Sequence, residues 1–195
     1  MRKMNKQRTL VILLGFVFMI GCSVKKKENE FQKEERSMRH GDLVDLYWID
    51  PDTDFSLYSS LQIPNFKDKR LVKKYEWVQE LMADEIADRL SELKVFSLID
   101  RTPEVTVPWT DLVLAGEITN IELNMEARCQ INIECTLNDV RKKMPICFFK
   151  HKKFIYGNNI GTANPLRKIV EKAAMDISIF LKDIRKYQLD AKAGK

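Results

Sequence analysis

The chain has 195 residues, 33 Lys+Arg against 28 Asp+Glu, and a formal net charge of +5. That length suits one domain with a sizeable core, since domains commonly run to ~100–150 residues. The positive balance belongs to the leader: residues 1–21 hold Arg2, Lys3, Lys6 and Arg8 and no acid, so without them 29 bases face 28 acids, a net of +1. A nucleic-acid binder concentrates basic surface that neutralises several phosphates. This balance argues against nucleic acid as a partner.

Behind the basic leader, Thr9 through Val24 carries no charge, and Leu10 to Ile20 is apolar apart from Gly15. A short apolar run after a positive patch is the pattern of a secretory signal peptide. A membrane-crossing helix needs about 20 apolar residues, which this run does not reach. Met19-Ile20-Gly21-Cys22 resembles the lipobox of bacterial lipoproteins. That resemblance implies cleavage after Gly21 and diacylglycerol on the Cys22 thiol, which becomes the first residue of the mature protein. Gly21 fits the pattern, whereas Ile20 and Met19 depart from the usual small residue and Leu. Membrane lipid is then a partner through acylated Cys22, and two or three acyl chains hold a protein where one holds it only marginally. Ser23, where relatives retained at the inner membrane carry Asp, points to the outer membrane facing the periplasm if the cell has one, and to the cell membrane if it is Gram-positive. The plainer alternative is a signal anchor with an incidental cysteine.

Lys25 to Asp42 is dense in mixed charge, with Phe31 and Met38 its only bulky apolar residues. Such a stretch cannot bury enough surface to offset its chain entropy. The expected organisation is therefore a signal over 1–21, a lipidated N-terminus and charged tether over 22–42, one globular domain over 43–186 and a frayed tail over 187–195.

Within the domain, Asp50-Pro51-Asp52-Thr53-Asp54 is turn chemistry. Tyr58 to Phe66 reads as a strand, with Pro64 marking an edge or a strand end. From Leu71 to Leu93, Val78, Leu81, Met82, Ile86, Leu90 and Leu93 recur with helical period. Val95 to Ile99 is a short apolar run. Asp111 to Met125 reads as a strand, but Leu112, Leu114 and Ile118 are out of parity with Ile121, Leu123 and Met125. A bulge near Thr119-Asn120 reconciles the two sets. Cys129 to Asn138 alternates apolar and polar as a half-buried antiparallel strand does, and Pro145 to Tyr156 returns as its partner. Asn164-Pro165 then starts a helix with Asn as N-cap and Pro at the first position. Its apolar stripe is Leu166, Ile169, Val170, Ala173, Ile177, Phe180, Leu181 and Ile184.

Strands with one apolar face beside two amphipathic helices predict an α/β two-layer sandwich: a mixed, largely antiparallel sheet with two helices on one face. The order of these elements, with Asp52 to Tyr58, a helix ending Leu90-Ser91-Glu92-Leu93-Lys94-Val95-Phe96, and Asp111 to Thr119, resembles uncharacterised bacterial lipoprotein families across residues 45–184. Their domain is similar to that of the curli-secretion and penicillin-binding-protein-activator lipoproteins. The resemblance implies a pore, ring or activator component rather than an enzyme.

Chemistry-bearing residues are sparse. The two histidines, His40 and His151, sit in no triad or metal-ligand motif. Cys147 and His151 share a strand face, as do Cys129 and Cys135, but a cysteine on an apolar face commonly acts as a small hydrophobe. No metal and no cofactor is expected. Export favours oxidation, and Cys135 and Cys147, nearly opposite across the hairpin, are a possible disulfide. Gly157 to Thr162 before the last helix lacks the Walker lysine and reads as a turn and cap. Arg141, Lys142, Lys143, Lys152 and Lys153, with Lys150, flank the last hairpin. That hairpin is expected at an accessible sheet edge, and those five are the candidate partner contact, to another envelope protein or to a second copy; lipid head groups or anionic glycan are alternatives, and charges that merely guard the edge are the commoner reason for such a cluster. The expected function is thus a non-enzymatic binding or assembly component of the bacterial envelope, with an envelope enzyme as the alternative.

Overall fold

The computed structural model describes residues 38–70, 75–102, 109–124, 128–156 and 164–193, with backbone alone at 124, 128 and 187–193. The signal, Cys22, most of the tether and the Gly157–Thr162 turn lie outside these residues.

The strands are β1 (Arg39–His40), β2 (Leu46–Ile49), β3 (Ser60–Gln62), β4 (Lys67–Asp68), β5 (Leu98–Asp100), β6 (Leu112–Asn124), β7 (Arg128–Asp139) and β8 (Met144–Tyr156). The helices are α1 (Glu76–Glu92) and α2 (Pro165–Ala193), and a single 3-10 turn spans Phe55–Leu57. All eight strands form one sheet in the order β1-β2-β8-β7-β6-β3-β5, with β4 also paired to β6. Pairing is antiparallel from β1 to β6 and parallel where β3 meets β5 and β6. Parallel neighbours need a crossover, and α1 supplies it between β3 and β5. The α/β sandwich expected from the sequence is the fold.

Both helices lie on one face of the sheet and share one core with it. Val78, Met82, Ile86 and Leu90 of α1 are buried with Leu166, Ile169, Val170, Ala173, Ile177 and Leu181 of α2 and with Leu114, Ile118, Ile131, Ile133, Leu137 and Phe149 of the sheet. Asn164 caps α2 as its position predicts, its Oδ1 accepting the Leu166 N–H at 3.1 Å. The backbone of α2 runs on to Ala193, past the Lys186 where the apolar stripe ends. Residues there are mostly good helix formers. No helix among the described residues is long and apolar enough to cross a membrane.

The bulge anticipated near Thr119 is present as a register shift between Ile118 and Asn120. On the helix-facing side of β6, Gly116 lies under the ring of Phe66. A Cβ at Gly116 would stand 2.1 Å from Phe66 Cε1, so only glycine lets the ring lie against the strand.

Helix α1 ends in a full Schellman motif: Val95 N–H donates to Leu90 O and Lys94 N–H to Ser91 O, each at 3.1 Å, with Leu90 and Val95 both buried. Lys94 holds the left-handed position at φ 53, where a non-glycine residue costs roughly 1–2 kcal/mol. Glycine avoids that cost but loses more chain entropy on folding. Lys94→Gly should therefore stabilise the domain by roughly 0.5–1 kcal/mol, read as a higher urea midpoint at unchanged slope.

Of the two readings of Pro64, the strand end holds: β3 lies between β5 and β6 and closes at Gln62, two residues before the proline. Two expectations are corrected. Ordered pairing begins at Arg39 rather than Leu43, since β1 pairs with β2. Nor is the whole β7–β8 hairpin at an edge. β2 pairs with β8 from Leu46↔Lys150 to Ile49↔Cys147 and makes that half of the hairpin interior, while among the described residues no strand pairs with the outer side of Lys152 to Tyr156.

Candidate functional site

On the helix-facing side of β8, Cys147, Phe149, His151 and Lys153 follow one another at the strand period of two. Helix α2 crosses this row with Asp176 and Phe180 one turn apart. Phe180 meets Phe149 at 5.1 Å between ring centroids, and Asp176 meets His151 and Lys153. The third wall comes from the bend before β2. Asp45 N–H donates to Lys150 O at 3.0 Å, and the Asp45 carboxylate then accepts the Lys152 N–H at 2.5 Å. That carboxylate takes the next β8 donor at the point where β2 is too short to reach.

His151 therefore stands between two carboxylates. Nε2 is 3.2 Å from Asp176 Oδ2 and Nδ1 is 3.6 Å from Asp45 Oδ2, while Lys153 Nζ pairs closely with the same Asp176 oxygen. The imidazole is 5% exposed, and neither ring nitrogen has an aligned hydrogen-bond partner. Gly41 to Asp45, Lys152, Lys153 and Phe154 complete a cavity of about 220 Å³ around it. Burial lowers the His151 pKa; the Asp176 and Asp45 charges oppose this and Lys153 adds to it, and the net shift is downward. A neutral imidazole carries one N–H, so one of the two carboxylates faces a lone pair. Protonation would give each carboxylate its own donor. The cluster thus holds a buried imidazole, whose protonation burial disfavours, where the bend before β2, strand β8 and helix α2 meet.

Among the described residues no set of three His, Cys, Asp or Glu side chains is placed to hold a metal. His40 is exposed on β1. Cys129, Cys135 and Cys147 are free and buried. Burial pushes the Cys129 thiol up to about 11 and raises Cys135 and Cys147 further. Cys135 is paired with Phe149 and Cys147 with Leu137, so the two thiols are diagonal neighbours rather than opposite ones. Diagonal positions are about 7–8 Å apart, whereas a disulfide wants Cβ atoms about 3.5–4.5 Å apart. The near-opposite placement expected for this pair is thereby corrected.

The five cations expected to form one contact fall into two groups. Arg141, Lys142 and Lys143 form the exposed β7–β8 turn, and Lys152 and Lys153 lie about nine residues along β8, roughly 30 Å away at the strand rise. Lys153 is engaged with Asp176. At the turn, Arg141 pairs with Asp111 at 3.1 Å, and Lys142 N–H donates to Asp139 Oδ1 at 2.9 Å. Both carboxylates brace this end of the sheet. Asp111 Oδ2 accepts both N–H and hydroxyl groups of Ser59 and Ser60 at 2.8–3.1 Å. Asp139, 2% exposed, also accepts the Tyr58 hydroxyl at 2.7 Å. Burial would raise both acids, but these donors outweigh it and hold both below the usual carboxylate range.

Sequence reading placed His151 on one strand face with Cys147 but did not identify its partners. Asp45 and Asp176 are far apart in the chain, and neither sits in a motif. The only available signal was the parity that turns a lone histidine inward on β8.

No protein-family model matches the chain, and no curated protein matches it. Solved structures do. Protein XCC0632 from Xanthomonas campestris, of the DUF330 family, is 9% identical with a TM-score of 0.51, over 76% of this chain and 96% of that one. The PelC dodecamer from Paraburkholderia phytofirmans is 8% identical with a TM-score of 0.48, over 68% and 94%. A lipoprotein from Neisseria meningitidis is 12% identical with a TM-score of 0.41, over 70% and 99%. At these identities the likeness is one of fold: the chain shares its sheet-and-two-helix architecture with the Xanthomonas protein across most of both lengths.

Proposed function

We propose that this chain is a lipid-anchored protein of the bacterial envelope, held through acylated Cys22, that acts as a non-enzymatic component of an envelope assembly, either with copies of itself or with another envelope protein. The observation that carries the reading is the uncharged run Leu10–Ile20 closing on Met19-Ile20-Gly21-Cys22, followed by a charged spacer and one domain. The buried histidine supports the non-enzymatic half of the reading. A general base must reach the proton it abstracts, and both His151 nitrogens are sealed from the surface. With Ser23 after the cysteine, the outer membrane facing the periplasm is the favoured address.

Replacing Cys22 with Ala tests the anchor. In cells fed a labelled fatty acid, the variant should lose the label and accumulate uncleaved, with residues 1–21 still attached. Normal labelling and processing of that variant would remove the reading. Crosslinking of anchored wild type in whole cells then reports the assembly, and monomer alone at every crosslinker dose would count against it.

A further inference from the structure

Helices α1 and α2 run parallel over the sheet, and two contacts set their relative height. The Ser178 hydroxyl donates to Ile86 O at 3.5 Å, and further along Arg185 donates to Val95 O and lies over the Phe96 ring. Each α1 residue therefore stands level with the α2 residue about 91 places later in the chain. Their charges differ in sign. Helix α1 carries six acids and one base, whereas α2 over 165–186 carries six bases and three acids.

Both helices turn a stripe of side chains away from the sheet at helical spacing. On α1 the stripe opens apolar, with Trp77 at 39% exposure and the partly buried Leu81, and continues acidic through Glu85, Asp88 and Glu92. On α2 it runs Lys168, Lys172, Met175, Ile179, Lys182 and Lys186, with Met175 at 50% exposure. Local bases already hold Asp84, Glu92, Glu171 and Asp176, through Arg101, Arg89, Arg167 and Lys153. Among the described residues, Glu85, Asp88 and the four stripe lysines are in no ion pair, and no ion pair joins α1 to α2. The exposed Asp183 is the one acid over 165–186 without a local base. The two stripes lie side by side on one copy, but across two copies they can lie face to face.

We infer that two copies of this chain pair through their helical layers about a two-fold axis parallel to the helices, each α1 lying on the other copy's α2. That operator keeps the facing helices parallel and at one level. Trp77 then meets Lys168 and Leu81 meets Met175, while Asp88 and Glu92 stand beside Lys182 and Lys186. A cation against an indole ring and opposite charges across an interface are both attractive. The other face-to-face two-fold lays α2 on α2 and turns lysine against lysine, which argues against it. With 17 residues α1 is about 25 Å long, and two such helices side by side offer roughly 500 Å² per copy. The total, about 1,000 Å², is at the lower limit for a specific interface, so the pair is a reversible one. The inference specifies the self-association in the function proposed above and does not depend on the lipid anchor.

The test is sedimentation equilibrium of the mature lipidated protein in density-matched detergent. Wild type should show a reversible monomer–dimer equilibrium. Lys182→Glu with Lys186→Glu should raise the dissociation constant at least about tenfold, since roughly four exposed contacts per dimer turn repulsive. Asp88→Lys with Glu92→Lys should do the same, and both variants should fold as wild type does, by near-ultraviolet circular dichroism. An equimolar mixture of the two variants should dimerise like wild type. In that pairing one half of the interface keeps its native charges and the other half has both sides reversed. A monomeric wild type, a reversed variant that dimerises normally, or a mixture that fails to recover would overturn the inference. So would a larger assembly left intact in both variants, which would place self-association on another surface. The uncleaved Cys22→Ala protein should dimerise as tightly as wild type. A monomeric wild type with normal lipid labelling refutes the pairing and leaves the anchor standing, and loss of the anchor alone leaves the pairing.

Discussion

Gly116→Ala should destabilise the domain by about 3 kcal/mol, near the upper end of what overpacking a core usually costs. The new methyl would stand 2.1 Å from the ring of Phe66, which is 1% exposed and cannot swing into solvent. Gly116 lies mid-strand and is paired with Cys135, so the backbone cannot retreat without breaking the β6–β7 ladder. For a domain of this size about 2–4 °C is lost per kcal/mol, which puts the fall in melting temperature near 10 °C. Phe66→Ala alone should cost about 3–5 kcal/mol by leaving a cavity. The decisive measurement is the pair. With the smaller Phe66→Leu in place, Gly116→Ala should become far less damaging, because the ring edge it meets is gone. If urea midpoints show the two substitutions simply adding, the contact between this glycine and this ring is not what limits the site.

Acidification should unfold the domain in two stages. His151 has a folded pKa below its ordinary value, chiefly through burial. Above about pH 6.5 the imidazole is neutral in both folded and unfolded chains, and its contribution to stability is fully present. As pH falls below 6.5 the unfolded chain gains a proton that the folded one refuses, so stability drops until the folded pKa is passed. The limiting slope is about 1.4 kcal/mol per pH unit for one proton. The second stage belongs to Asp68, Asp111 and Asp139, whose folded pKa values are all lowered. The Arg70 hydrogen bond does this for Asp68; at the other two, the serine, Tyr58 and Lys142 donors overcome burial. Their stabilisation is present above the ordinary carboxylate range and is lost as pH falls through the folded values. Unfolding free energies from urea titrations at pH 7.5, 6.0, 4.5 and 3.0 separate the stages. His151→Gln should flatten the segment between 7.5 and 4.5 and leave the steeper one below it. A wild-type profile already flat down to pH 5 would contradict the buried, neutral histidine.

Much of the fold was legible because its longest elements declare their own periods. Cys129 to Leu137 alternates so strictly that β7 and its partner β8 follow within a residue or two, and the parity break in β6 revealed its bulge. The Asn164-Pro165 pair and the apolar stripe beyond it defined the start of α2. These are local signals, set by side-chain spacing over ten or more residues. Leu46 to Ile49 carries no such signal: four residues with apolar character on both faces look the same in a strand or a buried turn. Their pairing with Cys147 to Lys150 closes a loop of about a hundred residues, and only the assembled core selects that partner. This one short strand turned part of an expected sheet edge into an interior position and brought Asp45 beside His151.

By itself, then, the sequence determined the long elements, their apolar faces and the layer architecture, because burying one face of each element leaves few alternatives. It also carried the leader and the cysteine behind it, which are read as linear motifs. Tertiary structure alone decided strand order, the diagonal placement of Cys135 and Cys147, the cluster around His151 and the division of the basic residues between two places. Each of these depends on which distant segments become neighbours, a choice made by the packing of the whole core rather than by the residues that end up side by side.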